Sequence, residues 1–294
     1  MTRREWLAFT GSSAFAVPER KPSVLSVEVY IWLQHLQNRK QTLAEGMDAV
    51  FPEARAAGFR NIELNADFFS AELAARTLAL LKANGLSMPS VYVGGVMHEA
   101  AAADETIRRA LDVASRAKAA GLRAVVNNPN PKKNRELKTD DELRLQAERL
   151  NRLGRELAAR GFQFLVHHHD PEMADNAREW RHILRNTDYK TVSLCMDLDW
   201  VHHGGQDPLA LLKEAGSRVA ALHLRNSRKK LWLESLEDGD IDYRKVAAYL
   251  DQAALSPLLV IELAYRKETA VTRLLKENLI RSRLYAERIF RATA

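Results

Sequence analysis

Apolar runs of strand length alternate with amphipathic stretches of helix length along almost the whole chain. The runs are SVLSVEVYIW (23–32), FRNIEL (59–64), LSMPSVYV (86–93), LRAVVNN (122–128), FQFLVHHHD (162–170), TVSLCMDLDW (191–200), VAALHLRN (219–226) and LLVIELAY (258–265). Between and after them the helical period covers roughly 41–57, 71–84, 102–120, 139–160, 174–186, 207–216, 243–254 and 268–291. Four of these helices run into a glycine that feeds the next strand: Gly58, Gly85, Gly121 and Gly161. A glycine there takes the left-handed capping conformation without a Cβ penalty, so each marks a helix end. Strands alternating with helices at this spacing predict parallel βαβ units. Eight such units predict an α/β fold, a single-domain (β/α)8 TIM barrel over 23–294. No glycine-rich dinucleotide fingerprint follows the first strand, which counts against an open doubly wound sheet.

In a closed barrel the strand C-termini and the loops after them form the catalytic face. The last four runs each carry a polar residue that metals favour near that end: His167, Asp197, His223 and Glu262. Taken singly, each is an ordinary structural polar residue. Together they occur one per strand on four consecutive strands at matching depth. Buried ionised carboxylates are costly unless paired or metal-bound, and a shared cation gives Asp197 and Glu262 a reason to be there. Imidazole and carboxylate without thiolate suit Mn, Mg, Co, Ni or Zn, so one divalent metal ion of undetermined identity is expected. For His169, Asp170, Asp199, His202 and His203 a structural hydrogen-bonding role is the simpler expectation. The earlier strands bring Tyr30, Trp32, Gln34 and His35, then Glu63 and Asn65, Tyr92 and His98, and Asn127 and Asn128. Carboxylates, amides and aromatic faces of this kind suit a polyhydroxylated substrate.

Charge and composition change this picture little. The net charge is +6, but the basic residues are scattered, and PKKNR (131–135) and RKK (228–230) read as solvated loop charge. No basic stripe interleaved with aromatics is present, so no nucleic-acid partner is expected. Cys195 is the single cysteine, which excludes a disulfide within the chain. Residues 1–22 carry Arg3-Arg4, an apolar stretch and Ala14-Phe15-Ala16, the pattern of a twin-arginine export signal with a small-residue cleavage site. The periplasm is the expected location, with the cytoplasm as the alternative if the leader is an ordinary basic terminus. No later segment reads as membrane-spanning.

Several motifs resemble a known group over roughly 24–290: GFRNIEL (58–64), VHHHDPEM (166–173), MDLDWVHHGGQDPLALL (196–212), RVAALHLRN (218–226), DGDIDY (238–243) and LVIEL (259–263). Their order is similar to that of the xylose isomerase-like TIM barrels, which include sugar phosphate isomerases and epimerases. The resemblance implies one divalent ion held at the ends of strands 5 to 8 by Glu, Asp, His and Glu. Asp197, His223 and Glu262 match the last three. His167 stands where the first Glu is usual, as in a branch with a YHNHDFEF-type motif, and Trp200 stands where a DxxH pattern would place a further His. Ketose 3-epimerases of the group use two opposed glutamates as acid and base, so His167 departs from that mechanism.

The resulting expectation is a metal-dependent sugar isomerase or epimerase working through an enediolate-type intermediate on a small carbohydrate. His167, Asp197, His223 and Glu262 hold the ion. Glu262, His167 and His169 are the candidate proton-transfer groups. Trp32, Glu63, Asn127, Glu172 and Trp200 are candidates for substrate contact. Trp232 and Glu234 are candidates for a lid. A metal-dependent lyase or hydratase of 3-keto-sugars or glycosides is the enzymatic alternative, and a non-catalytic sugar-binding barrel is the alternative of another class. Pairing into a homodimer is a further expectation.

Overall fold

The computed structural model describes residues 20–294, so the motifs of the expected leader lie outside the described residues. The strands are β1 (Leu25–Glu28), β2 (Ile62–Asn65), β3 (Ser90–Tyr92), β4 (Ala124–Asn127), β5 (Gln163–Val166), β6 (Ser193–Asp197), β7 (Val219–Leu224), β8 (Ser227–Arg228), β9 (Leu231–Trp232) and β10 (Leu258–Ile261). All but β8 and β9 close into one parallel barrel in chain order, with β10 pairing back onto β1. The remaining pair, β8 and β9, forms a small antiparallel hairpin above the end of β7. The fold is therefore a single (β/α)8 barrel, as the strand and helix pattern predicts.

The helices are α1 (Tyr30–Asn38), α2 (Leu43–Ala56), α3 (Ala74–Ala83), α4 (Ala100–Ala117), α5 (Asp140–Ala158), α6 (Ala174–Asn186), α7 (Leu198–His203), α8 (Pro208–Ala215), α9 (Tyr243–Gln252) and α10 (Leu275–Phe290). Local chemistry starts and stops them. Thr42 with Glu45, and Thr139 with Glu142, form reciprocal capping boxes on α2 and α5. The four expected glycine caps all adopt positive φ, from +60° at Gly85 to +94° at Gly58. Gly154 on α5 lets that helix approach the strand-side backbone closely: a Cβ there would meet the Thr191 carbonyl oxygen at 2.7 Å.

Two apolar runs divide where the sequence suggested one strand. In 23–32 the strand ends at Glu28, whose carboxylate accepts the Tyr30 N–H at 2.6 Å as Val29 turns helical. Trp32 consequently lies on α1 rather than on a strand end. In 191–200 the strand ends at Asp197, whose Oδ1 accepts the N–H groups of Asp199 and Trp200 and so caps α7. Within the barrel a small inner cluster of Ala124, Val126, Leu165, Cys195 and Ala221 fills the axis, and a much larger cluster lies between strands and helices. Among the described residues no helix is long and apolar enough to cross a membrane.

Candidate metal centre and its cavity

Barrel register sets the depth of the site. Asp197 is the register partner of His223 on the neighbouring strand, and His223 is in turn level with Val260. His167 follows β5 directly, with its N–H bonded to the Asn127 carbonyl, and the Glu262 N–H is bonded to the Leu224 carbonyl. One donor atom from each of His167, Asp197, His223 and Glu262 can be chosen so that all lie within 4.8 Å of one another. The four residues expected to converge are brought together.

The donor set fits a divalent cation. Both ring nitrogens of His167 are buried and have no hydrogen-bond partner, an expensive arrangement that is eased if one of them serves as a ligand. Burial and the nearby His223 push its pKa well below the ordinary imidazole value, which keeps it neutral and able to donate a lone pair. His223 is oriented by carboxylates on both sides. Its Nδ1 is 2.7 Å from Glu262 Oε2, and its Nε2 is 2.9 Å from Glu63 Oε1. Burial opposes charge on His223, yet Cys195, then Glu63 and the bond to Glu262, hold its pKa well above the usual value. A carboxylate behind a histidine is the outer support that metal-ligating imidazoles commonly have. Glu63 is itself fixed by the Ser90 hydroxyl, which donates to its other oxygen. Burial raises Asp197 to about 6 against the pull of Arg225. Glu262 is held down at about 2: burial acts against its charge, but Arg225 and His223 outweigh it.

His167, His223 and Glu262 open into a cavity of about 730 Å³ at the C-terminal mouth of the barrel. Trp200, Trp232, Tyr92 and Tyr30 give it aromatic walls, and Asn65 and Asn130 give it amides. His169 is on the wall, edge-on to Trp200 with ring centroids 5.2 Å apart. Burial pulls its pKa to about 4. The PKKNR loop, expected to be merely solvated, supplies Lys132, Lys133 and Arg135 to the rim. Two of these cations are paired, Lys132 with Glu142 and Arg135 with Asp170.

Four of the candidate substrate contacts take other places. Trp32 is buried against α2, its indole N–H donating to Glu53 at 2.8 Å, and it does not line the cavity. The early end of β1 is the reason. Asn127 is fully buried, and its amide donates to the Val93 carbonyl at 2.6 Å, tying the β3 and β4 sides together. Glu63 supports His223 from behind. Glu172 accepts the His169 N–H at 2.8 Å and fixes that loop; burial and Glu179 raise its pKa to about 7. Trp200 alone among the five lines the cavity.

Two residues of the site went unremarked in the sequence. Glu28 lines the cavity at the end of β1, and burial among Glu262 and Glu63 raises its pKa well above the usual carboxylate value. Arg225 lies 2.5 Å from Asp197 Oδ2 and 3.0 Å from Glu262 Oε1. Its guanidinium sits over the Trp200 and Trp232 rings at 4.9 and 4.7 Å. The signal was present in both cases: a charge inside an apolar run, and an arginine two residues after His223, on the same strand face.

Trp232 and Glu234, expected in a lid, form a latched wall. The Glu234 carboxylate accepts from the Thr272 N–H and hydroxyl, the Arg273 N–H and the Asn278 amide, and pairs with the Arg273 guanidinium at 2.7 Å. These bonds fasten the segment after β9 to the loop after β10, which carries Arg266 over the Trp232 face at 4.4 Å. Burial disfavours the charge, but the bonds from Thr272, Asn278 and Arg273 hold Glu234 at about 2, below the ordinary 4.5. Its stabilisation is therefore complete above about pH 4.5 and lost as the pH falls towards 2. We expect Glu234→Ala to lower unfolding free energy by about 2–3 kcal/mol at neutral pH and much less near pH 2. Chemical denaturation at both pH values checks this; an equal loss at both would remove the charge from the explanation.

A family model described as "Xylose isomerase-like TIM barrel" matches residues 51–283. Among curated proteins, the inosose dehydratase of Clostridium perfringens is 28% identical over 141 residues, covering 42% of this chain and 48% of that protein. The matched stretch thus spans about half the length of that relative. Among solved structures, a sugar phosphate isomerase/epimerase from Parabacteroides distasonis superposes with a TM-score of 0.69 at 18% identity, over 94% of this chain and 96% of the other. D-psicose 3-epimerase from Clostridium cellulolyticum, solved with D-tagatose, gives 0.72 at 12% identity over 91% and 99%. At these identities the superpositions establish the common fold.

Proposed function

The chain belongs to the xylose isomerase-like TIM barrel family, and from that premise we propose that it is a divalent-metal-dependent isomerase or epimerase of a sugar or sugar derivative. The observation that carries this reading is the convergence of His167, Asp197, His223 and Glu262, with donor atoms within 4.8 Å, beside a cavity large enough for a small carbohydrate. These four residues would hold the ion. When bound, it supplies a Lewis acid that polarises a substrate carbonyl.

The remaining work falls to the chain. Glu262 on the β10 side and His169 on the β5 side border the same cavity, with β6 and β7 between them in the barrel. One takes the proton from the carbon beside the carbonyl, and the other returns a proton to the neighbouring position or to the opposite face. Trp200 and Trp232 offer apolar faces to sugar C–H groups, and Asn65 and Asn130 offer amides to hydroxyls.

A second reading is favoured by one specific feature. With an imidazole at 167 in place of a carboxylate, the same proton abstraction can lead to elimination of a β-hydroxyl, and the curated relative quoted above is named a dehydratase. The two outcomes differ in mass. The first measurement is the metal content of protein purified without affinity nickel or chelator, followed by mass spectrometry of a sugar and keto-sugar panel with the metal-loaded protein. Products of unchanged mass support isomerisation, and loss of one water supports the dehydratase. Failure to retain any ion after reloading with manganese, cobalt and zinc would overturn the metal-dependent reading.

A further inference from the structure

We propose that Arg225 is the resident cation of the Asp197–Glu262 carboxylate pair, that a divalent ion must displace it to bind, and that Arg225 thereby sets the affinity for the ion. The inference rests on the metal-site reading above. Asp197 Oδ1 is committed to the N–H groups of Asp199 and Trp200 at 3.0 and 2.9 Å. Its Oδ2, the atom left for a cation, is held by Arg225 at 2.5 Å. Glu262 Oε2 accepts from His223 Nδ1 at 2.7 Å, and Oε1 pairs with Arg225 at 3.0 Å. Neither carboxylate has an idle oxygen. Among the four residues only imidazole nitrogens, on His167 and at His223 Nε2, lack a hydrogen-bond partner, and a neutral ring offers a single lone pair, too little by itself for a tight site for a hard divalent ion.

The guanidinium is held as a structural part rather than as a surface side chain. Arg225 is 3% exposed, its cation lies against the faces of Trp200 and Trp232, and its backbone carbonyl accepts the Tyr243 hydroxyl at 2.6 Å. It compensates two buried carboxylates that would otherwise repel each other across the axis of the site. A third carboxylate gives it somewhere to turn. Asp199 is fully buried beside His203 and Ser227, both of its oxygens lack a hydrogen bond of good geometry, and Oδ2 is already 3.9 Å from Arg225 Nε. His203 Nε2, at 3.3 Å, is the other cation-capable group facing that oxygen. Arg225 thus stands between a pair of carboxylates that an ion needs and one that an ion does not. Displacement exchanges the first contact for the second.

This arrangement makes a sign prediction that a merely supportive residue would not. Truncating a supporting residue of a metal centre weakens binding, whereas removing a competitor strengthens it. For Arg225→Met we expect Mn²⁺ to bind at least about tenfold more tightly, in the usual range of site-to-site coupling. The chelator-treated variant melts several degrees below the chelator-treated wild type, because two buried carboxylates are left without their cation. Saturating Mn²⁺ closes that gap, because the ion takes over the compensation. Asp199→Asn, which removes the retreat, weakens Mn²⁺ binding in the wild-type background and has little effect on top of Arg225→Met, so the two changes are coupled in a double-mutant cycle.

Calorimetric titration with Mn²⁺ and melting with and without chelator read all of these. Equal or weaker Mn²⁺ binding in Arg225→Met, where the wild type binds, overturns the inference while the metal centre stands. An additive cycle with Asp199→Asn does the same. If no form binds Mn²⁺, and Asp197→Ala behaves as the wild type does, the metal centre itself falls and this inference with it. Should Arg225→Met not fold without ion, Arg225→Lys carries the test. A single ammonium cannot bridge both carboxylates as the planar guanidinium does, so its Mn²⁺ affinity must exceed that of the wild type.

Discussion

Asp197→Asn is expected to abolish tight divalent-ion binding and to lower turnover by about a thousandfold or more, the scale on which removing a charge-stabilising element acts. The substitution is close to isosteric. Asparagine is as good a helix cap as aspartate, so the Oδ1 bonds to the Asp199 and Trp200 N–H groups that begin α7 persist. What changes is the other arm, where an amide replaces the oxygen 2.5 Å from Arg225 and level with His223. The negative charge that attracts the ion is lost, and the new amide N–H faces a guanidinium. Circular dichroism should report an intact barrel while elemental analysis finds little ion. Retention of about one equivalent of ion together with wild-type turnover would remove Asp197 from the ligand set.

His169→Gln is expected to have the second largest effect and a different signature. Turnover falls by about 10²–10⁴, the usual contribution of a positioned acid or base, while ion affinity stays near that of the wild type. His169 borders the cavity and is not among the four residues whose donor atoms converge. Its backbone N–H is bonded to Glu172 and its ring is edge-on to Trp200, so a side chain of similar reach sits in a loop that is already fixed. The pair of variants separates ion holding from proton transfer. Single-turnover kinetics with Mn²⁺-loaded protein checks the second. A loss smaller than tenfold would shift the proton-transfer role to Glu262 and His167.

Much of the site was legible because barrels impose a simple rule on their strands. Successive βαβ units must run parallel, so every strand C-terminus faces the same mouth. A polar residue at the end of an apolar run can therefore be placed without knowing any contact. His167, Asp197, His223 and Glu262 were found that way, from one position on each of four runs, and the structure brings the four to one point. The glycine caps were equally legible, since positive φ is a local requirement that few other residues meet.

The failures share a different cause. Trp32 was misplaced because nothing in SVLSVEVYIW announces that the strand stops at Glu28; a hydrogen bond from the Tyr30 N–H to that carboxylate decides it. Asn127 and Glu172 have the right chemistry and the right region, but their depth is set by barrel closure, which turns one to the Val93 carbonyl and the other to the His169 N–H. Arg225 shows the limit most clearly. Its sequence position shares a face with His223, yet its partners, Asp197 and Glu262, are contributed by the strands on either side of β7.

The sequence by itself determined the barrel, the order of its strands and the identity of the four converging donors, because periodicity, capping and parallel connection are local or nearest-neighbour constraints. The tertiary structure alone decided which carboxylate oxygens are engaged, which imidazole nitrogens are unpaired and where the guanidinium lies between two indoles. Those depend on distances between side chains from strands far apart in the chain, and a Coulombic or hydrogen-bonding contact in a buried site changes its meaning over about an ångström.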